Sequence, residues 1–341
     1  MRKFTFPIYY ILIPIIFVFI GWLSNTAYHL PRNSNPIAQV RPTPLAKYTI
    51  ENLSHARVDA SQIEIGKVLK DDPKFTSYEF SMKFSPDLSV NLKTTSGLIN
   101  IPKSLPAGGQ GTGTFPVIVM FRGYVDPTQY FIGNGTQHAA EVFAANGFIT
   151  VAPDFLGYGD SDKEAENVFE SRFQTLTTAI TTLKSINSIK NWDGKNIFIW
   201  GHSNGGQITL TTLEITGGTY PTVLWAPVSK PFPYSILYYT DDASDSGKFL
   251  RHELSNFEND YDTDLYSLTK YLGNIKAPLQ LNQGTADDAV PVAWSDLLAK
   301  DLKSAGVDVT YTKYPGANHD LTPGWEQAVA NALTFFEKHT K

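Results

Sequence analysis

The chain has 341 residues, 42% hydrophobic and 18% charged, with a formal net charge of −5. This is the composition of a globular protein able to bury a large core, and without a basic stripe it argues against nucleic acid as a partner. The absence of cysteine excludes thiol catalysis, disulfides and cysteine-ligated metal.

Arg2 and Lys3 precede an apolar run from Phe4 to Leu23. That run is long enough to cross a bilayer as a helix. Pro7 and Pro14 lie inside it, and membrane helices tolerate proline better than soluble ones. Residues 1–29 read either as an uncleaved signal-anchor or as a secretory signal cut near Thr26–Ala27. Both readings place the rest of the chain outside the cytoplasm, membrane-anchored or secreted, because positive charge stays inside. Residues 30–47 include PRNSNPIAQVRPTP, which reads as an extended proline-rich linker. The folded domain is expected over residues 48–341.

That domain opens with β-like runs at Ile63–Leu69, Thr76–Phe84 and Ser89–Ile101. In the second, Tyr78, Phe80, Met82 and Phe84 alternate with period two, as in a half-buried strand. The glycine-rich stretch at 107–114 reads as a loop. Strands and helices then alternate. Phe115–Phe121, Phe148–Pro153, Ile197–Trp200, Val223–Val228, Pro278–Leu281 and Val307–Tyr314 read as strands. Thr136–Asn146, Ser171–Ile189, Asn204–Ile215 and Trp325–Lys338 read as helices. Such alternation predicts an α/β fold, a mostly parallel sheet with helices on both faces and the functional site at the carboxyl ends of its strands. Residues 231–276 break the alternation and read as a short helical insertion capping that site.

The segment IFIWGHSNGG at 197–206 is an apolar strand, then Gly-His-Ser-Asn-Gly, then a helix. A serine in G-x-S-x-G at such a junction sits on a tight, strained turn that exposes its hydroxyl. Ser203 is therefore the candidate nucleophile. Serine needs a base to attack. Of the seven histidines, His319 in YPGANHD lies just beyond the last strand and is the candidate. His202 adjoins the serine and should point away from its hydroxyl as a structural residue. The acid that orients the histidine is sought in LNQGTADDAVP at 281–291. That loop offers Asp287 and Asp288, with Asp287 favoured and Asp288 suited to capping a helix. Ser, Asp, His is the order of the α/β-hydrolase fold. The oxyanion of an acyl-transfer reaction needs two donors, expected from the backbone N–H groups of Asn204 and Tyr124.

The pieces RGY at 122–124, APDFLGYGDSD at 152–162, GHSNGG at 201–206, QGTADDAVP at 283–291 and GANHD at 316–320 resemble the catalytic domain of the prolyl oligopeptidase family. They also resemble the dienelactone hydrolase group. The resemblance implies an α/β-hydrolase fold and carries the catalytic roles onto Ser203, Asp287 and His319, the first aspartate of the pattern being the catalytic one. It departs from the family at Arg122 and Gln283, where members usually have histidine. The large propeller that precedes this domain in prolyl oligopeptidases has no counterpart between linker and sheet. The expected function is a serine hydrolase, carboxylesterase or serine peptidase, acting on a small ester or short peptide without metal or cofactor. An acyltransferase and a non-catalytic binding relative are the alternatives.

Overall fold

The structure, a computed structural model, describes residues 42–104 and 113–341. The apolar run at residues 4–23, residues 30–41 of the linker and residues 107–112 of the glycine-rich loop lie outside the described residues. Among those described, no helix is long and apolar enough to cross a membrane.

Nine strands form one sheet: β1 (Ile63–Asp71), β2 (Phe75–Phe84), β3 (Lys93–Pro102), β4 (Phe115–Phe121), β5 (Ile149–Pro153), β6 (Trp192–His202), β7 (Thr222–Trp225), β8 (Leu279–Gly284) and β9 (Val309–Tyr314). Their order is β1-β2-β3-β5-β4-β6-β7-β8-β9. The first three strands run antiparallel and join β5 antiparallel, while β5 through β9 are mutually parallel. This is the α/β-hydrolase fold. The helices are α1 (Ile50–His55), α2 (Gln137–Ala145), α3 (Val168–Ser185), α4 (Asn204–Thr216), α5 (Tyr234–Leu237), α6 (Lys248–Asp260), α7 (Val292–Ser304) and α8 (Trp325–Lys338).

The pleat decides how the two faces are filled. On β4, Val117, Val119 and Phe121 enter one core with Phe173, Ile180, Leu210 and Leu302 of α3, α4 and α7. Ile118 and Met120 enter the other, with Phe143 of α2 and Phe336 of α8. Chain order reverses at β4: the next strand, β5, lies on one side of it and β6 on the other. Such a switch point opens a crevice at the carboxyl ends of the strands. β1 and β9 are the edges of the sheet, and on β1 Lys67, Lys70 and two register shifts interrupt a continuous pairing surface.

Several boundaries differ from expectation for local reasons. β3 starts at Lys93, not Ser89, because Ser89 is tied into a turn through its N–H to Asp87 Oδ1 at 3.1 Å. α3 starts at Val168 because the Asn167 side chain caps it, accepting from the N–H groups of Phe169 and Glu170 at 3.0 Å each. β6 begins at Trp192, well before Ile197, because Asp193, Gly194, Lys195 and Asn196 carry no apolar signal. β7 ends at Trp225, since Ala226 turns the chain with φ 42°. The folded part begins before residue 48. Leu45 is buried, its N–H donates to Tyr261 Oη at 3.1 Å and its carbonyl accepts from Tyr266 Oη at 3.1 Å. Residues 231–276 are helical, with α5, α6 and several 3-10 turns.

Candidate active site

Ser203 sits between β6 and α4 with φ 56° and ψ −122°, a left-handed strained conformation for a residue with a side chain. The turn is pinned from both sides. Ser203 N–H donates to Trp225 O at 3.0 Å, and Ser203 O accepts from Val228 N–H at 3.0 Å. The glycines explain how it closes. A methyl group on Gly205 would overlap the Phe121 carbonyl oxygen, so the start of α4 can press against the end of β4 only with glycine there. A Cβ on Gly123 would stand 3.0 Å from Ser203 Cβ and 3.5 Å from its Oγ. The loop after β4 therefore lies directly against the serine hydroxyl.

That loop carries Tyr124, and α4 begins with Asn204. Neither backbone N–H donates to another backbone group among the described residues. Arg122, which sequence reading passed over as a mere departure from the family, fixes the loop. Its guanidinium is buried, with Nη1 donating to Gly123 O at 3.0 Å and Nη2 to Asp154 O at 2.9 Å. In a trans peptide the carbonyl and the following N–H point opposite ways. Holding Gly123 O toward Arg122 thus turns the Tyr124 N–H away from it. The guanidinium lies 3.9 Å from the Tyr158 ring centroid and 4.7 Å from that of Tyr130. Asp154, wholly buried below, accepts from Ser96 Oγ at 2.6 Å, Tyr130 Oη at 2.5 Å and Gly133 N–H at 3.2 Å. Burial nevertheless leaves its carboxyl above the usual range, against those bonds and the Arg122 charge.

His319, beyond β9, and Asp287, beyond β8, meet as the sequence suggested. His319 Nδ1 lies 2.9 Å from Asp287 Oδ2 and 3.1 Å from Oδ1. The carboxylate can only accept, so Nδ1 carries the proton and Nε2 is left as the basic nitrogen. The Asp287 side chain is fully shielded from solvent. Burial pushes its pKa up, but the bonds from His319, the Val290 N–H and Gln283 outweigh it and hold the carboxyl below the usual range. Gln283 donates from Nε2 to Asp287 Oδ2 at 2.7 Å and accepts from Ser295 Oγ at 2.7 Å. Asp287 Oδ1 also accepts from the N–H groups of Ala289 and Val290 at 2.9 and 2.8 Å. Asp288 is exposed. His202 Nε2 donates to the His319 carbonyl at 3.1 Å, and the two rings lie 4.7 Å apart. Burial, then the neighbouring His319, pushes the His202 pKa down to about 4. A neutral imidazole thus braces the histidine loop. No cluster of metal-ligating side chains occurs among the described residues.

The pattern of the prolyl oligopeptidase family matches residues 134–341, more than half of the chain. The chain belongs to the prolyl oligopeptidase family. Among curated members it is 24% identical over 310 residues to dipeptidyl aminopeptidase BIII of Pseudoxanthomonas mexicana, which covers 83% of this chain and 42% of that protein. It is 31% identical over 136 residues to mouse prolyl endopeptidase FAP, across 40% of this chain and 17% of the relative. The chain thus spans less than half the length of these prolyl oligopeptidase relatives. By fold it is similar to acetyl xylan esterase 1 of Thermoanaerobacterium sp., with TM-score 0.63 and 14% identity, covering 88% of this chain and 95% of that one. It is also similar to an acetyl xylan esterase of Paenibacillus sp. R4, with TM-score 0.62 and 18% identity, covering 85% and 92%.

Proposed function

We propose that the protein is a serine hydrolase that cleaves esters or short-peptide amides through an acyl-enzyme on Ser203. The observation that carries this reading is the strained Ser203 turn with the Gly123–Tyr124 loop against its hydroxyl, and it is supported by the Asp287–His319 pair, whose histidine loop is bonded to His202, the neighbour of Ser203. Ser203 Oγ attacks the substrate carbonyl carbon while His319 Nε2 takes its proton. Asp287 holds the imidazole in the required tautomer and stabilises it once charged. The N–H groups of Tyr124 and Asn204 receive the oxyanion, in a place where fixed donors need no reorganisation. His319 then returns the proton to the leaving group, and water repeats the sequence on the acyl-enzyme.

The family membership supports this chemistry, and it is compatible with either bond. A fluorophosphonate probe should label Ser203, and p-nitrophenyl esters or aminoacyl p-nitroanilides should be turned over. Labelling at another serine, or no turnover of either substrate class, would remove the proposal. We propose further that residues 1–29 hold the catalytic domain on the outer side of a membrane, a reading supported by the apolar run Phe4–Leu23 behind Arg2 and Lys3.

A further inference from the structure

A cavity of about 350 Å³ lies beside the nucleophile, with Tyr124 and Asn204, the two proposed oxyanion donors, in its wall. The remaining wall mixes apolar side chains such as Phe155, Leu156 and Phe232 with polar ones, and two guanidinium groups line it: Arg122, already held by two main-chain carbonyls, and Arg172 of α3. Arg172 Nη2 donates to Gln207 Oε1 at 2.7 Å. That acceptor is a neutral amide. Among the described residues no carboxylate forms an ion pair with Arg172, although Lys and Arg elsewhere on the molecule are commonly so paired. Burial without an acid to offset it pushes the Arg172 pKa down to about 10, which leaves the guanidinium charged at neutral pH. Arg172 is partly buried in the cavity wall without a counter-ion, and it can pair with an anion that enters the cavity.

The location says what that anion belongs to. Gln207 stands one turn along α4 from the nucleophile, its N–H donating to Ser203 O at 3.3 Å. Arg172 is therefore tied to the helix that begins at Ser203. The wall it shares holds the proposed oxyanion donors but not His319, which hands its proton to the leaving group, so the group lodged there is the acyl part of the substrate. We propose that Arg172 binds a free carboxylate on the acyl group, so that the preferred substrates are monoesters of short dicarboxylic acids. This rests on the hydrolase reading of Ser203. The bond chemistry is unchanged: Ser203 Oγ bonds to the esterified carbonyl carbon, the alcohol leaves with the proton carried by His319, and water releases the dicarboxylate. Guanidinium and carboxylate suit each other through paired, charge-assisted hydrogen bonds.

The test compares monoethyl glutarate with ethyl valerate, an acyl chain of equal length without the charge, by ethanol release from the full chain. The unmodified protein should favour the glutarate ester in kcat/KM. In Arg172→Met the ratio of the two should fall about tenfold to a hundredfold. A ratio unchanged within about twofold, or a preference of the unmodified protein for valerate, would overturn the assignment. A second measurement needs no turnover: calorimetry of glutarate and of neutral glutaramide with Ser203→Ala. Binding of glutarate alone supports the proposal even if no ester is cleaved, in which case only the hydrolase reading fails. Equal binding of both ligands, or of neither, overturns it.

Discussion

Arg122→Met should weaken the fold and the chemistry together, and the structure sets both amounts. The guanidinium is 5% exposed and makes two hydrogen bonds to main-chain carbonyls, Gly123 O and Asp154 O. Methionine fills a similar volume but donates nothing. Each orphaned buried acceptor costs about 1–3 kcal/mol, and relief from burying a cation returns part of that. A net loss of about 2–4 kcal/mol is expected, which a domain of ordinary stability survives. The second effect follows from the peptide plane. Without Arg122 no other bond among the described residues holds Gly123 O, and the Tyr124 N–H is free to rotate off the proposed oxyanion position. Complete loss of one such donor costs about 10²–10³ in kcat. A loosened donor should cost about tenfold to a hundredfold, with KM little changed because the contact matures only in the transition state. Arg122→Lys should fall between, since an ammonium cannot span both carbonyls with a planar fork. Urea unfolding gives the first quantity and steady-state ester hydrolysis gives the second. A variant that loses stability yet keeps the full kcat would show that Arg122 serves the fold alone.

Single changes of Ser203, His319 or Asp287 to alanine should each reduce kcat/KM about a thousandfold or more and should not add in combination; an active Asp287→Ala beside an inactive Asp288→Ala would reverse the choice of acid. Glu214, on α4, is fully buried and neither carboxylate oxygen has a hydrogen-bond partner among the described residues. Burial raises its pKa well above the usual range, so the folded protein keeps a proton that the unfolded chain loses above about pH 4.3. Stability should therefore fall as pH rises from that point, by about 1.4 kcal/mol per pH unit, until the folded-state value is passed. Glu214→Met should remove this slope; identical stability–pH profiles for the two proteins would refute the argument. Deleting residues 1–42 should yield an active protein that no longer sediments with membranes, and full-length chain recovered only in the soluble fraction would count against the anchor.

Sequence alone named the candidate side chains of the site and missed those that hold them. Ser203 was legible because strand, G-x-S-x-G and helix follow one another within IFIWGHSNGG, and the strain at φ 56° is local to that turn. His319 and Asp287 were legible because each follows a strand of a parallel sheet, and all such strands deliver their ends to one edge. Asn167 as a cap was readable in principle, since asparagine before a helical run is a start signal. The work of Arg122, Gln283 and His202 was not readable. Each acts on a main-chain or side-chain atom brought near by another loop: Asp154 O, Asp287 Oδ2 and His319 O. No periodicity or spacing encodes those meetings. Leu45 was missed for a related reason, because its partners Tyr261 and Tyr266 lie more than two hundred residues away.

The two departures from the family pattern turn out to be two of the braces of the site. At each, the usual histidine is replaced by a side chain whose charge does not change near neutral pH. Arginine at 122 stays cationic and uses a fork to hold two carbonyls. Glutamine at 283 is neutral and uses both ends of its amide, donating to Asp287 and accepting from Ser295. An imidazole at either place would have carried a proton equilibrium into contact with the oxyanion loop or the acid. His202 adds none, since burial keeps it neutral down to about pH 4. The cluster around Ser203 therefore keeps a single imidazole whose protonation the proposed reaction uses. The acid limb of the rate profile should accordingly belong to one ionisation. Gln283→His would add a second titrating group against Asp287, so a variant profile with still only one acid step would contradict this account of why glutamine suffices there.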